Sequence, residues 1–445
     1  MKQSGRWLTP TRFLVLSFLC MISVGTVLLM LPVSAASGTG TRFVDALFTS
    51  TSAVCVTGLV VHNTAAYWSV FGQVVILLLI QAGGLGIMTY ATAHALVTGR
   101  RVTLKERIMI QEQMGYWSLS GLVGLMKEVI LFTLVFEAVG ALVLGFAFSC
   151  SMGLEFGEAA FFGVFHSISA FCNAGFDITG SSLMECSGAP WIIIPISLLI
   201  ILGGVGFYVI ADLYSNKAKW GKLSLHTRVA LKMTVILLLV GTVFVYALEK
   251  DNPATIGNMS IGDKLLSSWF QSVTPRTAGF NSIATEGLRI PTAFFVILLM
   301  FIGASPGGTG GGIKTTTFYS TFKFVVSSVR GQEDVNVSKR RLPRNLVTRA
   351  LVIVLLSIGL IVTSTLLLTI TEDAEFLDIL FEVVSAFGTV GLSRGLTPSL
   401  SDLGKIVVTI TMFAGRVGPL SFMIAIYRNS QKPNIRYPEE RVSVG

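Results

Sequence analysis

Eight mostly apolar stretches punctuate the chain, at residues 13–31, 67–97, 121–148, 191–213, 229–248, 292–329, 346–370 and 405–427. A helix needs about 20 apolar residues to cross a hydrocarbon core of about 30 Å. Each stretch is therefore predicted to be a transmembrane helix, the sixth interrupted by glycines. Within each successive pair lies a shorter, half-polar segment. The segment from Phe48 to Val60 recurs without a gap at 165–176, 269–280 and 381–392. Phe48, Phe165, Trp269 and Phe381 each stand ten residues before Gly58, Gly175, Gly279 and Gly391, and Leu59, Phe176, Phe280 and Leu392 follow them. The glycines are 117, 104 and 112 residues apart. Repetition at this period marks one unit used four times.

The predicted unit is a span, a pore helix half-way through the membrane, an extended strand and a second span. The fold class is an all-α polytopic membrane protein with eight transmembrane and four pore helices around one central axis. Repeats are placed at 1–97, 98–215, 216–330 and 331–445, with pore loops near 45–60, 158–177, 263–281 and 375–393. Asp45 and Asp378, each 13 residues before its glycine, suit a helix start by capping or by the helix dipole. The small residues 33–37 after the first stretch suit a signal-cleavage site, but signal cores usually run about 7–15 residues. A retained helix is preferred, because cleavage would remove the first span of repeat one.

Composition agrees with the pattern: 52% of residues are hydrophobic and 13% charged, against roughly 25% charged in soluble domains. The net charge of +9 raises nucleic acid as a partner, and its distribution argues against one. Lys and Arg gather in alternate loops, around Arg100–Arg107, Lys217–Lys232, Lys323–Arg349 and Arg428–Arg441, and residues 150–190 hold none. That is the positive-inside pattern. Both termini and the basic loops are expected on the cytoplasmic side, where the basic surface also offers a docking face. Five cysteines make no disulfide framework. Cys55 and Cys172 hold equivalent repeat positions and read as small buried side chains; pairing of Cys150 with Cys186 stays open.

Segments that enter and leave one membrane face carry non-helical backbone, which is tolerated only inside protein or along a wet path. Four such strands about an axis let a cation exchange its water shell for carbonyls. Pore helices would aim their partly negative C-termini at the same point. Gly-Gly-x-Gly sets at 83–86 and 203–206 fit close helix packing. His62, His94, His166 and His226 share no metal-like spacing. The run from Gly307 to Thr315 imitates a phosphate-binding loop, but Ile313 separates Gly312 from Lys314, where the motif needs Lys at once. With no paired carboxylates or nucleophile–base set, the chain does not read as an enzyme.

The sequence Thr389-Val390-Gly391-Leu392-Ser393 resembles the potassium-channel filter, with Val56-Thr57-Gly58, Asn173-Ala174-Gly175 and Thr277-Ala278-Gly279 as degenerate partners. From about residue 13 to 427 the chain resembles the Trk/Ktr/HKT superfamily of potassium transporters, most of all its Ktr membrane subunits. The resemblance implies K+ uptake in the cell membrane, with backbone carbonyls of these twelve residues holding the ion. Glycine rather than serine at position 58 implies potassium over sodium. It also implies a homodimer on a cytosolic RCK-type ring that binds nucleotide, with no cofactor in this chain. Activation by Na+, and channel against symport, stay open. A carrier of another class with a midplane site and an intramembrane enzyme are the competing expectations.

The gate is expected at 304–314. Residues 292–303 rise about 18 Å as a helix, so Pro306, Gly307, Gly308, Gly310, Gly311 and Gly312 break the span near mid-membrane. Arg416 stands 25 residues after Gly391, as Ala304 does after Gly279. An arginine at that depth must be paired. It is expected to donate to the loop carbonyls, with Lys314 beside it; neutralisation of Glu137 is the alternative.

Overall fold

The computed structural model describes residues 10–86, 89, 92, 95, 98, 102–114, 121–426, 438 and 440. His94, Arg100, Arg101, the last of the basic clusters and both termini lie outside the described residues.

Among these residues the chain runs through four groups of helices. Their first helices are Pro10–Met30, Leu122–Met152, Leu225–Glu249 and Arg344–Thr371, all long and apolar enough to cross a bilayer. The pore helices are Phe43–Val54, Phe156–Phe171, Ile261–Val273 and Phe376–Gly388. The second helices begin at Val70–Leu85, Pro190–Val205, Ile290–Phe301 and Asp402–Val417. Exposed Leu, Val, Ile and Phe side chains on the first helices, such as Leu142, Phe146 and Leu355, form a lipid-facing belt.

Each first helix carries its pore helix by close contact. Ser50, Ser167 and Ser272 donate to the carbonyls of Ile22, Glu137 and Leu238 at 2.7–2.8 Å. They fit there because Gly25, Gly140 and Gly241 present no Cβ to them. Cys55 and Cys172 are the buried C-caps of the first two pore helices.

The outer loops tie the groups in a circle. Asn63 donates to Gly180 O at 2.5 Å, and Asn281 O accepts from Leu183 N at 2.9 Å. Arg394 bridges the Thr285 and Leu288 carbonyls, each at 3.2 Å. Lys405 closes the circle on Asp45 at 2.7 Å, both nearly fully buried. Asp45 thus serves an ion pair rather than a cap; the N-cap residue is Arg42, whose side chain makes no capping bond and pairs instead with Asp402 at 2.7 Å. His62, without a partner in the sequence, stacks on Tyr67 and lies 3.5 Å from the same Asp45.

The structure departs from the sequence expectations at several points. The second spans are not continuous. The chain turns at Gly86, Gly206 and Gly418, all at positive φ, and the helix pair around Gly206 bends by 92°. The break in repeat three begins at Ile302, just before the expected loop. The breaks recur in all four groups, not in two matched halves as in a midplane carrier. The gap-free alignment also fails in repeat three, which has one residue fewer between pore helix and glycine. Ser272 precedes its glycine by seven residues against eight for Ser50 and Ser167, so Phe270, not Trp269, fills the buried site of Phe48, Phe165 and Phe381. Cys150 and Cys186 are both free thiols. A helix at Leu104–Met114 and a short hairpin pairing Asn336–Val337 with Arg340–Arg341 lie in basic loops where no element was expected.

Candidate ion pathway

After each pore helix the backbone alternates in hand. Val56 and Gly58 have positive φ, as do Asn173 and Gly175, Thr277 and Gly279, and Thr389 and Gly391. Left-handed φ is costly for Val and Thr and persists only where the surroundings impose it. Here the pore helices impose it. The amides of Thr57, Ala174 and Val390 donate to Ser52, Ser169 and Ser385 carbonyls at 2.7–2.9 Å, and Ala278 N donates to Thr274 O at 2.9 Å. In a trans peptide the carbonyl points opposite to its amide. The carbonyls of Val56, Asn173, Thr277 and Thr389 therefore face away from the pore helices.

The next peptide follows suit. Gly58 N and Gly391 N donate to the hydroxyls of Ser52 and Ser385, each at 3.1 Å. In repeat three Gly279 N donates to Thr274 O at 3.4 Å, and in repeats two and three Ser169 and Thr274 also donate to Phe176 O and Phe280 O, each at 2.7 Å. Eleven of the twelve strand residues are buried, and Gly391 is half-buried.

The strands form a closed ring. A Cβ on Gly58 would strike the Ala174 carbonyl and lie 3.1 Å from Gly175 Cα. One on Gly175 would meet the Ala278 carbonyl at 2.6 Å, one on Gly279 the Val390 carbonyl, and one on Gly391 the Thr57 carbonyl. The order runs through all four repeats and returns to the first. Only glycine fits at these crossings. Two rows of carbonyls around one axis can replace the hydration shell of a cation. Arg276, three residues before Gly279, is a buried cation beside this ring. It turns to the first helix of its repeat, bonding Thr234 O at 3.5 Å and Thr234 Oγ1 at 3.4 Å.

Below the ring, residues 302–314 cross as a loop. Cβ atoms on Gly310 and Gly311 would collide with the side chains of Thr277 and Thr389, so the loop packs directly on the ring's lower residues. Helix ends supply its partners. The helix broken at Gly206 leaves free carbonyls, and Gly204 O and Gly203 O accept from Ser305 N at 2.9 Å and Thr309 N at 3.1 Å. Phe207 N donates in return to Gly307 O at 3.1 Å. Lys314 Nζ donates to Gly310 O at 2.6 Å.

Arg416 does the same for repeat one. Its guanidinium donates to Thr309 O in the loop, and to Gly83 O at 2.6 Å and Gly84 O at 3.2 Å, where the helix ends at Gly86. Glu137 is not its partner: that carboxylate accepts from Gln81 at 2.9 Å and has the Cys172 thiol 3.9 Å away. The Gly-Gly-x-Gly sets serve packing. A Cβ on Gly83 or Gly203 would strike the carbonyl of Val54 or Phe171 at a pore-helix end. Beneath the loop lies a cavity of about 220 Å³, reached by Lys314, Arg349 and Arg416. The sequence reading missed Thr309, Gln81, Lys405 and Glu382; only the last two, as charges inside predicted spans or pore helices, left a signal.

A ring of four re-entrant strands with inward carbonyls, closed below by a glycine loop, defines a polytopic membrane protein built around one central pore. A family profile described as a cation transport protein, TrkH, matches residues 5–435. The chain is 42% identical over 437 residues to Ktr system potassium uptake protein B of Bacillus subtilis, covering 98% of this chain and 97% of that one. It is 36% identical over 451 residues to the potassium/sodium uptake protein NtpJ of Enterococcus hirae, covering 100% and 99%. The crystal structure of the potassium transporter TrkH from Vibrio parahaemolyticus superposes with a TM-score of 0.75 at 18% identity, over 96% of this chain and 87% of that one. The chain belongs to the TrkH family of cation transport proteins, and is a transporter rather than an enzyme.

Proposed function

We propose that this chain is the potassium-translocating membrane subunit of a Ktr-type uptake system, lying in the cell membrane with both termini cytoplasmic. The observation that carries the proposal is the closed ring of Gly58, Gly175, Gly279 and Gly391. Glycine at all four crossings lets the carbonyls of the four strands meet a dehydrated cation, and the names of the relatives favour potassium. The loop at 304–314 acts as the gate. Arg416 and Lys314 hold it across the axis and place positive charge below the filter, which opposes cation passage.

Opening then falls to a cytosolic RCK-type ring that binds nucleotide, shared by two copies of this subunit and docked on the basic loops. Two relatives named as components of a Ktr system favour such a partner. Serine introduced singly at the four glycines tests the filter. Each should lower the K+/Na+ permeability ratio under bi-ionic conditions. An unchanged ratio in all four variants removes these glycines from the filter.

A further inference from the structure

Each pore helix buries a polar side chain at one level behind the ring: Thr49, His166, Gln271 and Glu382. They stand nine residues before the glycine, eight in the shortened repeat three. Two residues after the glycine the outgoing strand carries Val60, Asp177, Asn281 and Ser393. The four pairs of positions are equivalent, and their chemistry differs.

In repeat one the strand position is apolar, and Thr49 bonds its own helix at Asp45 O, 2.9 Å. In repeat two the Asp177 carboxylate is taken up by its own loop, through Thr179 Oγ1, Gly180 N and Ser182 N at 2.9–3.2 Å. In repeat three the amide of Gln271 and Oδ1 of Asn281 have no hydrogen-bond partner. Repeat four differs: Ser393 Oγ donates to Glu382 Oε2 at 2.7 Å, and the Thr397 hydroxyl donates to Oε1. Ser393 Oγ also accepts from Gly395 N at 3.2 Å.

Glu382 is fully buried, and no ion pair reaches it among the described residues. Arg394, the nearest cation in sequence, is engaged 2.6 Å from Asp378, one turn earlier on the same helix. A buried carboxylate with two hydroxyl donors still lacks an opposite charge. On the far side of its strand, the opposite charge would be a cation held by the ring.

We infer that Glu382 is a positioning residue for ion selectivity: through Ser393 and Thr397 it fixes the strand carrying the Val390 and Gly391 carbonyls, and its charge favours a cation there. The inference rests on the filter reading above. The repeat-four strand is thereby tethered on its outer side to a buried carboxylate, and its carbonyl spacing resists shrinking around a smaller ion.

The test uses the purified full-length protein in proteoliposomes. Bi-ionic K+/Na+ permeability and maximal Rb+ flux are measured for E382Q, E382D and S393A, with G391S as control. S393A removes one tether and should lower the permeability ratio about two- to tenfold, the range one net hydrogen bond is worth. E382Q, which keeps size but not charge, should lower it at least as far, with E382D between E382Q and wild type. A purely structural role would lower the amount of folded protein or its flux and leave the ratio alone. Should E382Q fail to fold, S393A decides: a ratio within twofold of wild type overturns the inference. If G391S lowers the ratio and neither S393A nor E382Q does, the filter reading stands and only this inference falls. An unchanged ratio in G391S takes Gly391 out of the filter and overturns the inference, while the other three glycine variants decide the filter reading.

Discussion

Replacing Arg416 with alanine removes three hydrogen bonds, to the carbonyls of Thr309, Gly83 and Gly84. Only the first reaches the loop; the other two cap the end of a neighbouring helix. A hydrogen bond from a charged donor is worth about 1.5–3 kcal/mol net, and about 1.4 kcal/mol is a factor of ten. The ratio of open to closed loop should therefore rise about ten- to a hundredfold. The loop is not freed outright, because Lys314 still holds Gly310 O and the Gly203 and Gly204 carbonyls still accept from Thr309 and Ser305. Rubidium uptake into proteoliposomes without any cytosolic partner reads the change directly. R416A should raise basal flux within that range, and deletion of residues 307–311 should raise it further. Added to the deletion, R416A should change little, since its loop partner is disturbed already. The K+/Na+ permeability ratio should stay as in wild type. Monodisperse R416A and deletion proteins with wild-type basal flux would refute the reasoning, for the loop would then not be the barrier.

K405M should cost about 3–5 kcal/mol by stranding buried Asp45, and K405M/D45N should recover most of the loss in a thermal-unfolding assay. Intact mass with and without reductant should show no Cys150–Cys186 bond. Burial, with Glu185 adding to it, pushes the Cys186 thiol above its ordinary range, so thiolate is scarce at neutral pH; its alkylation should be slow there and quicken as pH rises, while exposed Cys150 reacts readily. Charge reversal at Arg340 and Arg341 should reduce co-purification of the cytosolic ring; full retention places the docking surface elsewhere.

The repeat, the pore helices and the glycines were legible because each depends on local composition: an apolar run, a short helix, a residue without Cβ. Arg416 was legible as a charge at a forbidden depth, and its loop partner followed from counting residues along two spans. What the sequence hid depends on neighbours far along the chain. The turns at Gly86, Gly206 and Gly418 sit inside apolar runs that could equally be unbroken helix; at Gly86 and Gly206 an arginine and a loop from other repeats satisfy the freed carbonyls. The missing residue in repeat three was masked by adjacent aromatics, Trp269 and Phe270, either of which completes the pattern. The bond that Ser393 donates to Glu382 joins a strand to its pore helix along a path no periodicity reveals.

Covalent linkage of the four quadrants has a consequence for what the pore can contain. In a ring assembled from four identical short chains, every feature would appear four times. Four crossing loops would compete for an axis with room for one, and four guanidiniums at the depth of Arg416 would repel each other and any cation. Four copies of Glu382 would bury four carboxylates around one ion. A single polypeptide escapes that arithmetic. One quadrant supplies the crossing loop, a second receives it on the carbonyls of Gly203 and Gly204, a third carries both Arg416 and the buried acid, and the fourth lends Gly83 and Gly84 to anchor Arg416. Under the gating proposed above, division of labour among unequal quadrants lets a pore of fourfold outline open and close through one movable part.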